Sequence, residues 1–160
     1  MRMKKIFFIW IVSILLNSAN AQTAIDFNMT DCNDTMHHLF ADYLDNEEVV
    51  IIEFFMTCPS CIEVGQKLSP MYDQLAIDYP GQVNFFAFNF NDDFDCSVAN
   101  NFVTDNAINA VPFDSGGAQL AYYGGFGMPS VAIVGGSQHE VIYFDKTSAG
   151  VNDTAAMDRR

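Results

Sequence analysis

The sequence predicts an α/β protein whose central mixed sheet is flanked by helices. Three observations carry that expectation. Val49-Val50-Ile51-Ile52-Glu53-Phe54-Phe55 is a near-continuous β-branched and aromatic run, the pattern of a strand covered on both faces. Cys61, Val64, Leu68, Met71 and Leu75 then recur at spacings of 3, 4, 3 and 4, an amphipathic helical stripe. Finally, strand and helix patterns alternate onward from Gln82 until a last antiparallel pair, an order that builds a sheet sandwiched by helices.

Residues 1–21 read as a secretory signal peptide. Arg2, Lys4 and Lys5 precede the apolar run Ile6 to Leu16, and the small-residue site Ala19-Asn20-Ala21 follows. The run is short for a membrane span and ends in Asn17 and Ser18. Cleavage is expected before Gln22, which leaves residues 22–160 as a single domain. No Cys stands at the cleavage point, which argues against a lipoprotein, and no later stretch is long and apolar enough to span. An exported protein is expected, periplasmic or secreted and soluble, with no membrane insertion after cleavage.

Within the domain, Ile25 to Thr30 alternates apolar and polar residues as a half-buried strand does. Asp31-Cys32-Asn33-Asp34 supplies turn residues, and Thr35 to Leu39 returns as the second arm of a hairpin. Phe40 to Leu44 reads as a short helical turn stopped by Asp45-Asn46. The helix that opens at the cysteine motif is interrupted at Ser69-Pro70, as a kink or as a fresh cap. Gln82 to Phe90 is the next buried strand. Asp95 caps a helix from Cys96 towards Ile108, with Val98, Phe102 and Val103 inward. Ala110 to Phe113 is extended and Ala118 to Tyr123 a short helix. Strands follow over Ser130 to Val134 and Val141 to Phe144 around a Gly135-Gly136 turn, and a helix is expected from Asn152.

Half of the 160 residues are apolar and 15 are Phe, enough for a substantial core. Seven Lys and Arg oppose 20 Asp and Glu, a formal charge of −13. Three of the seven basic residues and none of the 20 acids lie in the leader, so the remainder carries four against 20, a net −16. Such a surface repels phosphate backbones and anionic headgroups, which excludes nucleic-acid binding as a main function.

Export makes disulfides the expected state of Cys32, Cys58, Cys61 and Cys96. A bridge within Cys58-Pro59-Ser60-Cys61 closes a tiny loop and contributes little chain-entropy stabilisation. That spacing suits a redox device better than a staple. Cys32 and Cys96 are read as a structural bridge, with two free thiols or a second redox relay as the alternatives.

The strand VVIIEFF, the CPSC motif opening a helix, and Gly127-Met128-Pro129-Ser130 opening a strand together resemble the thioredoxin superfamily. Within it, the exported TlpA/ResA-type thiol–disulfide oxidoreductases are similar from about Ala24 to Phe144. The segment from QVNFFAFNF to Tyr123 matches the β-α unit this branch inserts between motif and proline. The resemblance implies a thioredoxin-like fold and disulfide exchange with protein thiols and a separate redox partner. It implies Cys58 as the nucleophile at a helix N-terminus, Cys61 as the resolving thiol, and Pro129 as a cis-proline facing them. Pro59 and Ser60 would shape the turn, and Met128 would face substrate in place of the usual Thr or Val. Thr57 stands where many relatives carry Trp. Glu53 is the candidate proton-transfer acid, one position out of the family's register, and Glu63 the alternative. Glu53 and Glu63 flanking the motif predict a Cys58 pKa less depressed than in strongly oxidising relatives.

Other motifs carry less. Asn91-Asp92-Asp93-Phe94-Asp95 lacks the Gly and terminal Glu of a calcium loop and reads as a solvated, helix-capping segment. His37-His38 reads as an exposed strand pair. His139 with Cys58 and Cys61 suggests a Sco-type copper carrier as a minor alternative, although that family spaces its cysteines by three residues. No metal and no organic cofactor are expected. The alternative of another class is a thioredoxin-fold binding or cargo domain whose CPSC pair is simply oxidised.

Overall fold

A computed structural model describes residues 22–125 and 127–146. The expected signal peptide and the helix expected from Asn152 lie outside the described residues.

A small antiparallel hairpin, β1 (Asn28–Thr30) and β2 (Met36–His38), leads through a π-helical turn at Leu39–Tyr43 and a 3-10 turn at Leu44–Asn46 into β3 (Val49–Phe55). The chain continues through α1 (Pro59–Asp78), β4 (Val83–Asn89), α2 (Cys96–Asp105), β5 (Val111–Phe113), α3 (Gly117–Tyr123), β6 (Ser130–Gly135) and β7 (Glu140–Asp145). The main sheet has the order β5-β4-β3-β6-β7, with β4 parallel to β3 and β6 antiparallel to it.

β3 lies at the centre, and its alternation divides the core. Ile51 and Phe55 face α1 and α2, where they meet Val64, Leu68, Phe85, Phe102 and Ile133. Val50, Ile52 and Phe54 face the hairpin side with Leu39, Leu44, Leu120 and Tyr123. Phe88 and Phe113 meet there edge to face, with ring centroids 4.5 Å apart. Glu53 shares the α1-facing side with Ile51 and Phe55 because strand side chains alternate with period two.

Several elements differ from expectation. Of the strand expected from Ile25, only Asn28–Thr30 pairs as a strand; the Ile25 N–H donates to the Tyr123 hydroxyl, and Gln22 and Ala24 upstream bond to the end of the β6–β7 turn. α1 runs unbroken through Pro70, neither ending nor restarting there. Ser69 beside it is buried; its hydroxyl donates to the Gly65 carbonyl at 3.0 Å and accepts the Asn109 N–H at 2.8 Å. α2 stops at Asp105 rather than reaching Ile108, because Ala107 takes a left-handed φ of 53°. Its inward residues are Ala99, Phe102 and Val103, which leaves Val98 half-buried, roughly 90° round the helix from that stripe.

Candidate active site

β3 delivers the chain to the carboxyl end of the sheet, where open α/β sheets place their sites. After the exposed Met56 and Thr57, Cys58 takes an extended conformation as the N-cap of α1, and its carbonyl accepts the N–H groups of Cys61 and Ile62, each at 3.1 Å. Pro59 fills the first helical turn, where its missing N–H costs no hydrogen bond. Cys58 is therefore half-buried with its sulfur at the helix N-terminus, while Cys61, one turn on, is fully buried.

The two sulfurs lie 2.9 Å apart as a dithiol. Ser60 Oγ lies 3.2 Å from the Cys58 sulfur, and the Met56 N–H donates to Cys61 Sγ at 3.3 Å. Burial pushes the Cys58 thiol up, but hydrogen bonds from Cys61 and Ser60 outweigh it and hold its pKa below the ordinary thiol value. Burial, and donation to Cys58, push Cys61 up to about 12. The pair's negative charge thus belongs on the outer sulfur and its proton on the inner one.

Glu53 is fully buried, and neither carboxyl oxygen has a hydrogen-bond partner. Burial raises its pKa well above the usual carboxylate range, and charge on Cys58 raises it further. Gly65 makes room for it: a Cβ there would stand 2.8 Å from Glu53 Oε2 and 2.5 Å from Ile108 Cδ1. Glu63 instead pairs with Lys67 at 2.7 Å on the exposed face of α1.

The Met128–Pro129 peptide bond is cis. Ser130 pairs with Phe54, so Pro129 lies alongside the end of β3 from which the motif leaves. Met128 is half-buried against both halves of the core, including the cluster that holds Cys58 and Cys61. Cys32 and Cys96 form a disulfide that ties the hairpin turn to the start of α2. Asp95 caps α2 through the Ser97 N–H, and Asp92 Oδ1 accepts the N–H groups of Gly116 and Gly117 at the start of α3, so two of the loop's three carboxylates each hold a helix start.

One histidine departs from expectation: His38 is exposed as read, but its neighbour is not. His37 is buried, not exposed, because β2 turns its middle residue inward. Its Nε2 lies 3.2 Å from Asp31 Oδ2, and its Nδ1 meets the Tyr43 hydroxyl. Burial, and the nearby charges of Asp42, Glu48 and Asp31, push that hydroxyl up to about 12. His139 stands in the β6–β7 turn against Asp45 (2.8 Å) and the Phe40 ring. Gly135 beside that turn packs on Val49, whereas the cysteines follow Phe55, so the length of β3, about 20 Å, separates His139 from the sulfurs. A copper site joining His139 to Cys58 and Cys61 is therefore not formed.

Two site residues escaped the sequence reading. Gly65 was visible as a glycine inside a helical stripe, a pattern that signals close approach. Asn89, at the end of β4, is 1 % exposed with an unpartnered Nδ2; its polar character inside QVNFFAFNF was the one available sign.

No protein-family model matches the sequence, nor does any curated protein. Solved structures do match. A thiol:disulfide interchange protein of the thioredoxin family from Chlorobium tepidum TLS superposes with a TM-score of 0.64 at 15 % identity, over 88 % of this chain and 97 % of that one. The fold is that of thioredoxin. A thiol-disulfide oxidoreductase from Bacteroides fragilis NCTC 9343 gives a TM-score of 0.67 at 10 % identity, over 86 % and 98 % of the two chains. A secreted Mycobacterium tuberculosis disulfide oxidoreductase homologous to E. coli DsbE gives 0.58 at 17 %, over 82 % and 95 %. On this thioredoxin fold, the CPSC pair and Pro129 reach the same end of β3 from the two ends of a long sequence interval.

Proposed function

We propose that the protein is an exported thiol–disulfide oxidoreductase that exchanges disulfides with protein substrates through Cys58 and Cys61. The observation that carries the reading is the asymmetry of the pair: a half-buried sulfur of lowered pKa, 2.9 Å from a buried one raised to about 12. Only a thiolate attacks a disulfide, so the more accessible, more acidic member starts the exchange. Cys58 thiolate attacks one sulfur of a substrate disulfide, a Cys58–substrate bond forms, and the second substrate sulfur leaves as a thiolate that takes a proton from water.

Resolution needs the proton removed from Cys61. Formation of the mixed disulfide neutralises Cys58, which removes the charge that added to the elevation of the Glu53 pKa. With that charge gone the Glu53 carboxyl releases its own proton to water more readily, and we assign the carboxylate so formed to take the Cys61 proton. The Cys61 thiolate attacks Cys58, the internal disulfide forms, and the substrate leaves reduced by two electrons. The reverse sequence oxidises a substrate dithiol, and a separate redox partner resets the pair. Pro129, at the end of β3 from which the motif leaves, is assigned to hold an arriving peptide, and Met128 to cap the sulfurs on the substrate side. The leader at residues 1–21 supports export; among the described residues no helix is long and apolar enough to cross a membrane.

The test is dithiothreitol-driven insulin reduction by the wild type and by Cys58→Ser. The serine variant should fall to the rate without protein. Equal rates would leave a binding or cargo domain with an inert pair as the reading.

A further inference from the structure

Beside the motif, between the exit of β3 and the face of α2, two adjoining depressions share Thr57, Phe94 and Val98. The smaller, about 170 Å³, reaches from Met56 inward to Asn89. The larger, about 380 Å³, continues past Ile62 towards Asp105. A cavity of about 150 Å³ accommodates benzene, so the smaller one has room for a single Leu- or Phe-sized side chain.

Three features mark this groove as a site rather than a packing defect. Phe94 and Met56, 46 % and 39 % exposed, leave two large apolar side chains in water at its rim. Asn89 at its inner end has one satisfied side: its Oδ1 accepts the Asn91 N–H at 3.2 Å. Its Nδ2 is buried with no partner. A buried donor left unpaired is costly, and an extended peptide offers the carbonyl that it lacks. Finally, Asp92, Asp93 and Asp95 flank Phe94 in the chain, Asp105 lines the far end, and no Lys or Arg lines either depression.

Resting on the disulfide-exchange reading above, we propose that this groove selects the substrate segment next to the disulfide cysteine: an apolar residue adjoining that cysteine, flanked by Lys or Arg. Thr57 immediately precedes Cys58, so a peptide joined to the Cys58 sulfur brings its neighbouring residue, under 4 Å along its chain, to the mouth of the smaller depression. The apolar side chain fills it, a peptide carbonyl accepts from Asn89 Nδ2, and the flanking cations meet the loop carboxylates.

The probes are short peptides whose cysteine is held as a mixed disulfide with thionitrobenzoate, reacted with the reduced wild-type protein under single-turnover conditions. Cys58 attacks the peptide sulfur, and the low-pKa thionitrobenzoate leaves as a coloured anion. The sequence Lys-Leu-Cys-Lys should react about tenfold or more faster than Lys-Ser-Cys-Lys, the discrimination that one apolar pocket provides. Glu-Leu-Cys-Glu should be slower than Lys-Leu-Cys-Lys, and that gap should shrink between about 0.01 and 0.15 M salt as the Debye length falls from about 30 to 8 Å. Val98→Trp, which fills the depression from α2, should bring the Leu-to-Ser ratio close to one. Hydroxyethyl disulfide, too small to need the groove, reports on exchange itself. Equal rates for the Leu and Ser peptides, while hydroxyethyl disulfide is still reduced, would overturn the groove and leave the exchange reading standing. No reduction of hydroxyethyl disulfide would overturn both.

Discussion

Glu53 holds a carboxyl inside the protein with no donor facing either oxygen, and burial is the larger cause of its raised pKa. In a low-dielectric site the neutral acid is the stable form, so the folded chain keeps a proton there that the unfolded chain releases. The sign of the linkage follows. Its folded pKa lies above the ordinary 4.5, so the native state binds more protons than the unfolded one above that pH. Stability is unaffected below about pH 4 and is lost as pH rises from 4.5 towards the folded pKa, at most about 1.4 kcal/mol per pH unit. Glu53→Gln cannot titrate and removes this slope. Urea midpoints measured from pH 4 to pH 8 should therefore converge for the two proteins at the acid end, with the variant gaining progressively at higher pH. Parallel curves would show that Glu53 is ionised in the native state. The same substitution removes the base assigned to Cys61, so a Cys58–substrate mixed disulfide should persist longer in a single turnover.

At the scale of elements, α1 depends on one small side chain at its midpoint. Pro70 cannot donate into the helix, and Ser69 beside it joins the Gly65 carbonyl to the Asn109 N–H of the segment between α2 and β5. Ser69→Ala removes the acceptor of that half-buried N–H and the donor to the Gly65 carbonyl, and should cost about 1 kcal/mol in stability, read from the denaturant midpoint at unchanged m-value. A loss under about 0.5 kcal/mol would mean that water replaces the hydroxyl there. Local pattern made much of this architecture readable in advance: the β-branched run of β3, the cysteine-to-leucine stripe of α1 and the Asp95 cap each follow from neighbours within one or two turns. The exchange motif and Gly-Met-Pro were legible for the same reason, as short motifs at element ends. What was not legible depends on which side of an element another element covers. The inward turn of His37, the Ala99 face of α2 and the left-handed Ala107 that ends it are set by tertiary contacts. The unpaired Asn89 and the close approach of Glu53 to Gly65 likewise exist only once β3, β4 and α1 are assembled.

Across the whole molecule, the two cysteine pairs divide their labour by the lengths of chain they close. Cys32–Cys96 joins positions 64 apart, enclosing β2, β3, α1 and β4 and with them the entire CPSC motif. In the chain-entropy account a loop of that length stabilises by about 4 kcal/mol, whereas a bridge across two residues contributes little. The long bridge also anchors the start of α2, and so one wall of the groove beside Cys58, against the hairpin turn, where the Cys32 N–H donates to the Pro112 carbonyl at 2.9 Å. The hydrogen bonds at the active pair come from Ser60, Met56 and the partner sulfur, none of them from the bridge. Stability and redox poise are therefore separable. Mild reduction of the oxidised protein followed by alkylation should label Cys58 and Cys61 before Cys32 and Cys96. The double variant Cys32→Ser, Cys96→Ser should lose roughly 4 kcal/mol of stability. The Cys58–Cys61 potential of that variant, measured against a glutathione buffer, should stay within about 30 mV of the wild type, the equivalent of 1.4 kcal/mol. Earlier labelling of Cys32 and Cys96, or a larger shift in potential, would make the long bridge part of the redox device.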